Sequence, residues 1–324
     1  MYFDPQAKQK LEDFYNFEVL QQELKKVLED PHTPLIAVHG LRRTGKTSLI
    51  RVVLNASRKK YVWLDGREIV SRNEFFLKLS EEVSKLRRFE IKGISLKGVS
   101  WSLDLHKKDL DFLNKQKITL VIDEVQLLKK MKVDYLLASI YDNHPQIKIV
   151  VSGSERGMLV NFLGQANAKA PLYGRAVFEL STRRLTKEEG LHFLREGSKK
   201  LDTPIKEEEI LDAIQSLDGI IGWLTKYGWY RLRLPHKTAL QKTIEDGKHV
   251  AYAEFLSFAA RSEKKYLRIL KTMKEGDRWE EIKKRAQTSD TQLGEMLKRM
   301  VDYGFVEKAE QTYRISDPLL EASL

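Results

Sequence analysis

Apolar positions along the 324-residue chain follow two different periods. Four runs of strand length, residues 35–38, 61–65, 118–122 and 147–151, are nearly continuous in apolar side chains. Stretches with helical spacing lie before, between and after them. Within residues 13–30, Val19, Leu20, Leu24, Val27 and Leu28 mark an amphipathic helix that Pro31 and Pro34 bring to an end. Further helices are expected at 48–56 and at about 73–86, 107–115 and 133–141. Apolar strands alternating with helices predict an α/β fold with a parallel sheet covered on both faces. Residues 91–105 break this rhythm. There Ile94, Leu96, Val99, Trp101 and Leu103 alternate with polar residues, and Gly93 and Gly98 supply turn points. That period predicts a β-hairpin inserted in the α/β layer.

After about residue 181 the strand pattern stops. Thr186 and Glu189 form a capping box opening a helix through Leu194, and helices follow near 207–217, 224–231 and 249–260. From residue 262 three more helical patterns, 266–273, 279–286 and 291–303, precede two short strand-like segments at 305–307 and 312–315. Three helices and a hairpin predict a winged helix. The expected organisation is therefore residues 1–180, 181–261 and 262–324. In the last helix Leu293, Met296, Leu297, Met300 and Val301 form an apolar stripe that reads as core, leaving Lys298, Arg299 and the wing residue Arg314 for phosphate contacts. An intramolecular clamp fits this pattern better than sequence-specific reading of a duplex.

Composition excludes some chemistry. The chain has no cysteine, so disulfides, thiolate metal sites and cysteine nucleophiles are ruled out. No run approaches the length of a membrane span and the N-terminus lacks a secretory pattern, so a cytoplasmic location is the expectation. A formal net charge of +11 suits a polyanion, either a nucleotide or nucleic acid.

One segment carries specific chemistry. Gly40, Leu41, Arg42, Arg43, Thr44, Gly45, Lys46 and Thr47 spell GxxxxGK[ST] after an apolar strand, and Ser48 continues into a helix. Such a loop turns successive N–H groups and a helix N-terminus toward phosphates. Lys46 is expected on the β- and γ-phosphates of ATP, with the Thr47 hydroxyl on Mg²⁺. Asp123, at the end of the apolar run 118–122, is the second candidate for the Mg²⁺ shell. Glu124 follows as the candidate base for the attacking water. Gln126 reads either as a γ-phosphate contact or as solvent-facing, with the second favoured. Ser152 and Ser154 at the end of the fourth run either hold the hydrolytic water or form a plain turn. Arg175 is a candidate arginine finger.

The segments GLRRTGKTSL, ITLVIDEVQ, VVSGSERGML, PLYGR, DGIIGWLTKYG and YRISDPLL, in this order, resemble the archaeal ATPase family of the STAND class of AAA+-related proteins. The resemblance runs from about residue 13 to 318. It implies a P-loop NTPase with an AAA+-like three-layer αβα core, a helical lid and a winged helix. It implies that ATP or ADP, with Mg²⁺, acts as the switch of a nucleotide-controlled device. Ser154 becomes the sensor candidate, and Arg175 an arginine that senses the γ-phosphate within the chain or from a neighbour. Residues 13–18, including Phe14, Tyr15 and Asn16, are implied beside the adenine, although Phe17 stands where the family pattern has arginine. Ile221 likewise stands for the proline of the family's GxP turn. Self-association, a protein client and DNA contact through the winged helix remain open, as does a likeness to archaeal origin-recognition initiators.

Overall fold

The computed structural model describes every residue except 16, 91–102, 155, 165–166, 203, 261 and 274–275. Its first part alternates helix and strand: α1 (Glu18–Glu29), β1 (Leu35–His39), α2 (Lys46–Ala56), β2 (Tyr61–Asp65), α3 (Arg72–Glu90), α4 (Leu103–Lys115), β3 (Thr119–Asp123), α5 (Val133–Asn143), β4 (Lys148–Gly153), α6 (Arg156–Leu163) and β5 (Phe178–Ser181). The five strands form one parallel sheet in the order β2-β3-β4-β1-β5. One strand thus separates the strand before the glycine loop from the strand that ends in Asp123.

The continuous apolar runs have a direct cause. Leu35 and Ala37 of β1 pack with Leu120, Ile122, Ile149 and Val151 on one face of the sheet. Their alternates Ile36 and Val38 pack with Val121, Val150 and Leu180 on the other. Side chains alternate across a strand, so a sheet covered on both sides needs apolar residues at every position.

Helices follow: α7 (Lys187–Lys200), α8 (Glu207–Leu217), α9 (Ile221–Arg231) and α10 (His236–Ala259). The expected capping box of Thr186 and Glu189 opens α7. The last segment contains α11 (Glu263–Thr272), β6 (Asp277–Arg278), α12 (Trp279–Ala286), α13 (Asp290–Asp302), β7 (Val306–Ala309), β8 (Thr312–Ile315) and α14 (Pro318–Glu321). Its strands form an antiparallel sheet ordered β6-β8-β7. Leu293, Met296, Leu297 and Met300 of α13 are buried in its core, as their stripe predicted. Packing crosses between these parts. Ala251, Phe255 and Ala259 of α10 join the C-terminal core, while Leu319 of α14 and the N-terminal Tyr2 and Phe3 join the helical one.

Several expectations change. Val19 is 68% exposed, because α1 starts only at Glu18 and its first turn faces water. The helix expected at 249–260 is the second half of α10, whose first half is too polar to announce itself. β5 was not anticipated: it is short, and only Leu180 of its four residues is buried. Of the expected hairpin at 91–105, residues 91–102 lie outside the described residues, and the remaining 103–105 begin α4. Among the described residues no helix is long and apolar enough to cross a membrane.

Candidate functional site

The C-terminal ends of the central strands open into a cavity of about 630 Å³. Its floor is the loop between β1 and α2. Gly40 has φ +139° and Gly45 has φ +92°, and a Cβ on Gly40 would run into Thr182. Only glycine takes both constraints without strain. The loop delivers Lys46 and Thr47 at the first turn of α2, where unpaired backbone N–H groups and the helix dipole favour an anion.

Lys46 is buried, and its Nζ donates to the carbonyls of Gly40 at 3.0 Å and Leu41 at 2.6 Å. Burial lowers its pKa to about 8, against the opposing pull of Glu124 and Asp123. The Thr47 hydroxyl donates to Asp123 Oδ2 at 2.9 Å, and the Ser152 hydroxyl donates to Asp123 Oδ1. Asp123 is itself buried, which raises its pKa above the usual carboxylate range while those hydroxyl contacts lower it. A hydroxyl and a carboxylate converging at a phosphate loop are the hard oxygen donors that Mg²⁺ takes alongside phosphate and water. The residues present therefore fit the ion.

Glu124 sits at φ +51°, just past the end of β3. Its Oε2 accepts from the Ser154 N–H at 3.2 Å, the Ser154 hydroxyl at 2.8 Å and Gln126 Nε2 at 2.5 Å. The favoured solvent-facing reading of Gln126 is thus overturned. Its side chain is 2% exposed and wedged against Gly153, where a Cβ would come within 2.6 Å of its Oε1. Ser152 and Ser154 are likewise more than a turn, since each holds one acid.

Other predicted residues divide. Phe14 and Tyr15 line the cavity, Phe14 over Gly45. The Tyr15 hydroxyl donates to the Glu189 carbonyl at 3.0 Å, fixing the ring against Phe193 and His192. Asn16 lies outside the described residues. The Ser48 hydroxyl accepts from the Lys8 N–H at 3.0 Å, so it anchors the N-terminal segment. Thr44 is buried, with its hydroxyl on the Leu41 carbonyl at 2.7 Å, and so shapes the loop from within.

Arg175 is not brought to this cavity. It precedes β5, and its guanidinium pairs with Asp142 at the C-terminus of α5, which leads into β4. Both positions are at the N-terminal edge of the parallel sheet, the edge opposite Lys46. A role for Arg175 on this chain's own γ-phosphate is therefore corrected: it is separated from Lys46 by the length of the sheet.

Arg42 and Arg43 line the cavity and engage the later segments. Arg43 donates to Glu254 of α10 at 2.8 Å, approaches Asp317 at 3.7 Å and stacks its guanidinium 4.3 Å from the Trp223 ring centre. Arg42 lies 3.6 Å from Glu254 and over Phe305. The Gly222 N–H donates to the Arg43 carbonyl at 3.0 Å. The Trp223 indole donates to both Asp317 oxygens at 3.1 Å, and burial raises the Asp317 pKa. Near them, a Cβ on Gly304 would lie 3.5 Å from the Ser154 carbonyl oxygen and 3.8 Å from Leu41.

Sequence reasoning missed residues 4–8, Arg67 and these partners, of which Asp317, Phe305 and Gly304 do not line the cavity. The N-terminal Tyr2-Phe3 pair, apolar in a polar stretch, was a usable signal for the first group. Nothing in spacing connects Arg43 with Glu254 or Asp317.

A family model described as an ATPase domain predominantly from Archaea matches residues 14–226. No match to a curated protein is found. Among solved structures, the Walker-type ATPase of Pyrococcus abyssi is 28% identical, with 100% of this chain and 99% of that chain covered and a TM-score of 0.89. Cdc6p from Pyrobaculum aerophilum is similar in fold, at 18% identity, 99% and 96% coverage and a TM-score of 0.53. So is the Aeropyrum pernix ORC1 protein in complex with DNA, at 15% identity, 94% and 90% coverage and a TM-score of 0.50.

Proposed function

We propose, from the premise that the chain belongs to the family of ATPase domains found predominantly in Archaea, that it is a magnesium-dependent ATP-hydrolysing switch. In this reading residues 1–180 are the nucleotide core, 181–261 a lid and 262–324 a winged helix. The observation that carries it is the pair Arg42-Arg43. These residues belong to the phosphate loop, yet they hold Glu254 on α10 and approach Asp317 before α14. A change of charge on the loop is thereby felt by both later segments.

ATP lies with its phosphates on the loop and Lys46, and with its base toward Phe14 and Tyr15. Thr47 and Asp123 would hold Mg²⁺, which would supply neutralisation of phosphate charge. Water, positioned by Glu124, attacks the γ-phosphorus and gives its proton to that carboxylate. The bond from the γ-phosphorus to the bridging oxygen breaks, and its electron pair leaves on ADP. Ser154 and Gln126 keep the Glu124 carboxylate at the end of β3. Loss of the γ-phosphate then changes the field at Arg42 and Arg43 and re-sets their grip on the lid and winged helix. Phosphate release from ATP that requires Mg²⁺ tests the reading. Release above background is expected with Mg²⁺ and not with chelator; none in either condition contradicts it.

A second reading is an ATP-tuned DNA binder. Its support is the charge of +11, the exposed Lys298 on α13 and the fold shared with an ORC1 protein solved in complex with DNA. Against it, Arg299 stacks near Phe258 and Tyr266, Arg314 pairs with Glu307, and Asp302 at the end of α13 packs on Gly157 of α6. A duplex gel shift at about 50 mM salt separates the readings, because phosphate contacts are strongest there.

A further inference from the structure

We propose that Arg67 is the arginine that neutralises the γ-phosphate of ATP bound to this same chain. The inference rests on the ATPase reading above. With Arg175 at the opposite edge of the sheet, a γ-side cation supplied by this same chain comes from another residue. Arg42 and Arg43 are held by Glu254, and Lys226 pairs with Asp246 at 2.7 Å. Lys46 reaches the phosphates from the loop side. Arg67 comes from the other side, next to the acids.

Its placement follows from the fold. β2 neighbours β3, so the end of β2 lies one strand spacing, about 4.8 Å, from the strand that ends in Asp123. Asp65 is paired in register with Asp123, and the chain then turns tightly through Gly66. A Cβ on Gly66 would lie 2.6 Å from the Glu124 carbonyl oxygen and 3.0 Å from that of Asp123. This glycine therefore lets the Arg67 backbone press against the catalytic strand end. From there Arg67 lines the same cavity as Lys46, Glu124, Gln126 and Ser154.

Its present partner is Asp65, at the end of β2. Arg67 forks onto Asp65, with Nε at 2.9 and 3.1 Å and Nη2 at 2.6 Å, but its side chain remains 63% exposed. Water screens the guanidinium end of this pair, while Asp65 itself is only 18% exposed. A γ-phosphate offers more charge and the same forked geometry, which a guanidinium matches. Asp65 thus parks the guanidinium beside the site, and ATP takes it over. As charge spreads over the γ-oxygens while the bond to ADP breaks, Arg67 stabilises it from the side on which water enters.

The test compares Arg67→Ala and Arg67→Lys with the natural chain, reading ATPγS and ADP dissociation constants and single-turnover phosphate release. Arg67→Ala is expected to weaken ATPγS about tenfold, leave ADP within about twofold and slow phosphate release at least a hundredfold, at the low end of what a finger arginine supplies. Arg67→Lys should recover part of the rate, since it restores charge without the fork. Equal weakening of ATPγS and ADP, or phosphate release within about threefold of the natural chain, overturns the proposal. If the natural chain releases no phosphate at all, the ATPase reading fails, and the split between ATPγS and ADP affinities still decides whether Arg67 meets the γ-phosphate.

Discussion

The two walls of the nucleotide cavity are built on different principles. On the sheet side Asp123, Glu124 and Ser154 stand at or just beyond the ends of buried strands, and Lys46 and Thr47 open the helix that follows β1. Their geometry is fixed by β1, β3 and β4 before any ligand arrives. On the helical side the wall is assembled from Tyr15, Trp223, Glu254 and the N-terminal residues 4–8, brought together from the length of the chain. Side-chain pairs and ring packing join them, with a few bonds to backbone groups such as the Gly222 N–H on the Arg43 carbonyl. In the reading proposed above, the contrast separates labour: chemistry belongs to the wall built on strand ends, and response to the wall joined across distant segments.

The comparison is broken most severely on the sheet side. Glu124→Gln should lower phosphate release by at least a hundredfold, the usual contribution of a positioned base, while ATP still binds. Single-turnover release and equilibrium binding read the two effects. If both are lost together, Glu124 is part of the binding floor and the division fails.

On the helical side the largest effect should come from Phe3→Ala. Phe3 is fully buried where α7 and α9 present Gly197 and Gly228, and neither glycine could carry a Cβ beside its ring. Emptying that seat should cost about 3–5 kcal/mol of stability, read by chemical denaturation. Because residues 4–8 line the cavity just beyond Phe3, nucleotide affinity should fall in the same variant while the rate of bound ATP cleavage changes little. A large loss of cleavage rate would show that the walls are not separable.

A smaller effect concerns pH. Lys46 has its pKa lowered to about 8 by burial, and phosphate binding favours its charged form. Below that pKa the ammonium is present before and after binding, so affinity should be flat. Above it, binding takes up a proton, and affinity should fall by up to about tenfold per pH unit. Lys46→Arg, charged throughout, should remove the slope. A flat profile for the natural chain from pH 7 to 9 would mean that Lys46 stays charged in its buried seat.

Legibility in the sequence follows the same divide. Four of the five strands could be read because both faces of the sheet are covered, and the phosphate loop because its spacing is set by the ligand. β5 escaped notice since Phe-Glu-Leu-Ser buries one side chain. Half of α10 escaped because its polar turns face water. Gln126 was misjudged because a polar residue after two acids gives no hint that Gly153 leaves it a buried slot. Arg175 could be recognised as a motif but not located, since only the fold says which edge of the sheet a loop occupies. The partners of Arg43 lie 211 and 274 residues away in sequence, and no local pattern records such pairs.

The central claim is that nucleotide state moves the C-terminal segment relative to the sheet. The chain has no cysteine, so nitroxide labels on Ala56→Cys, at the end of α2, and Ala309→Cys, on β7, would be unique, and both positions are exposed. The account predicts that the distance distribution between them, measured by pulsed electron–electron resonance, differs between ADP and ATPγS with Mg²⁺, and that Arg43→Ala removes the difference. The same distribution with ADP, with ATPγS and without nucleotide would contradict it.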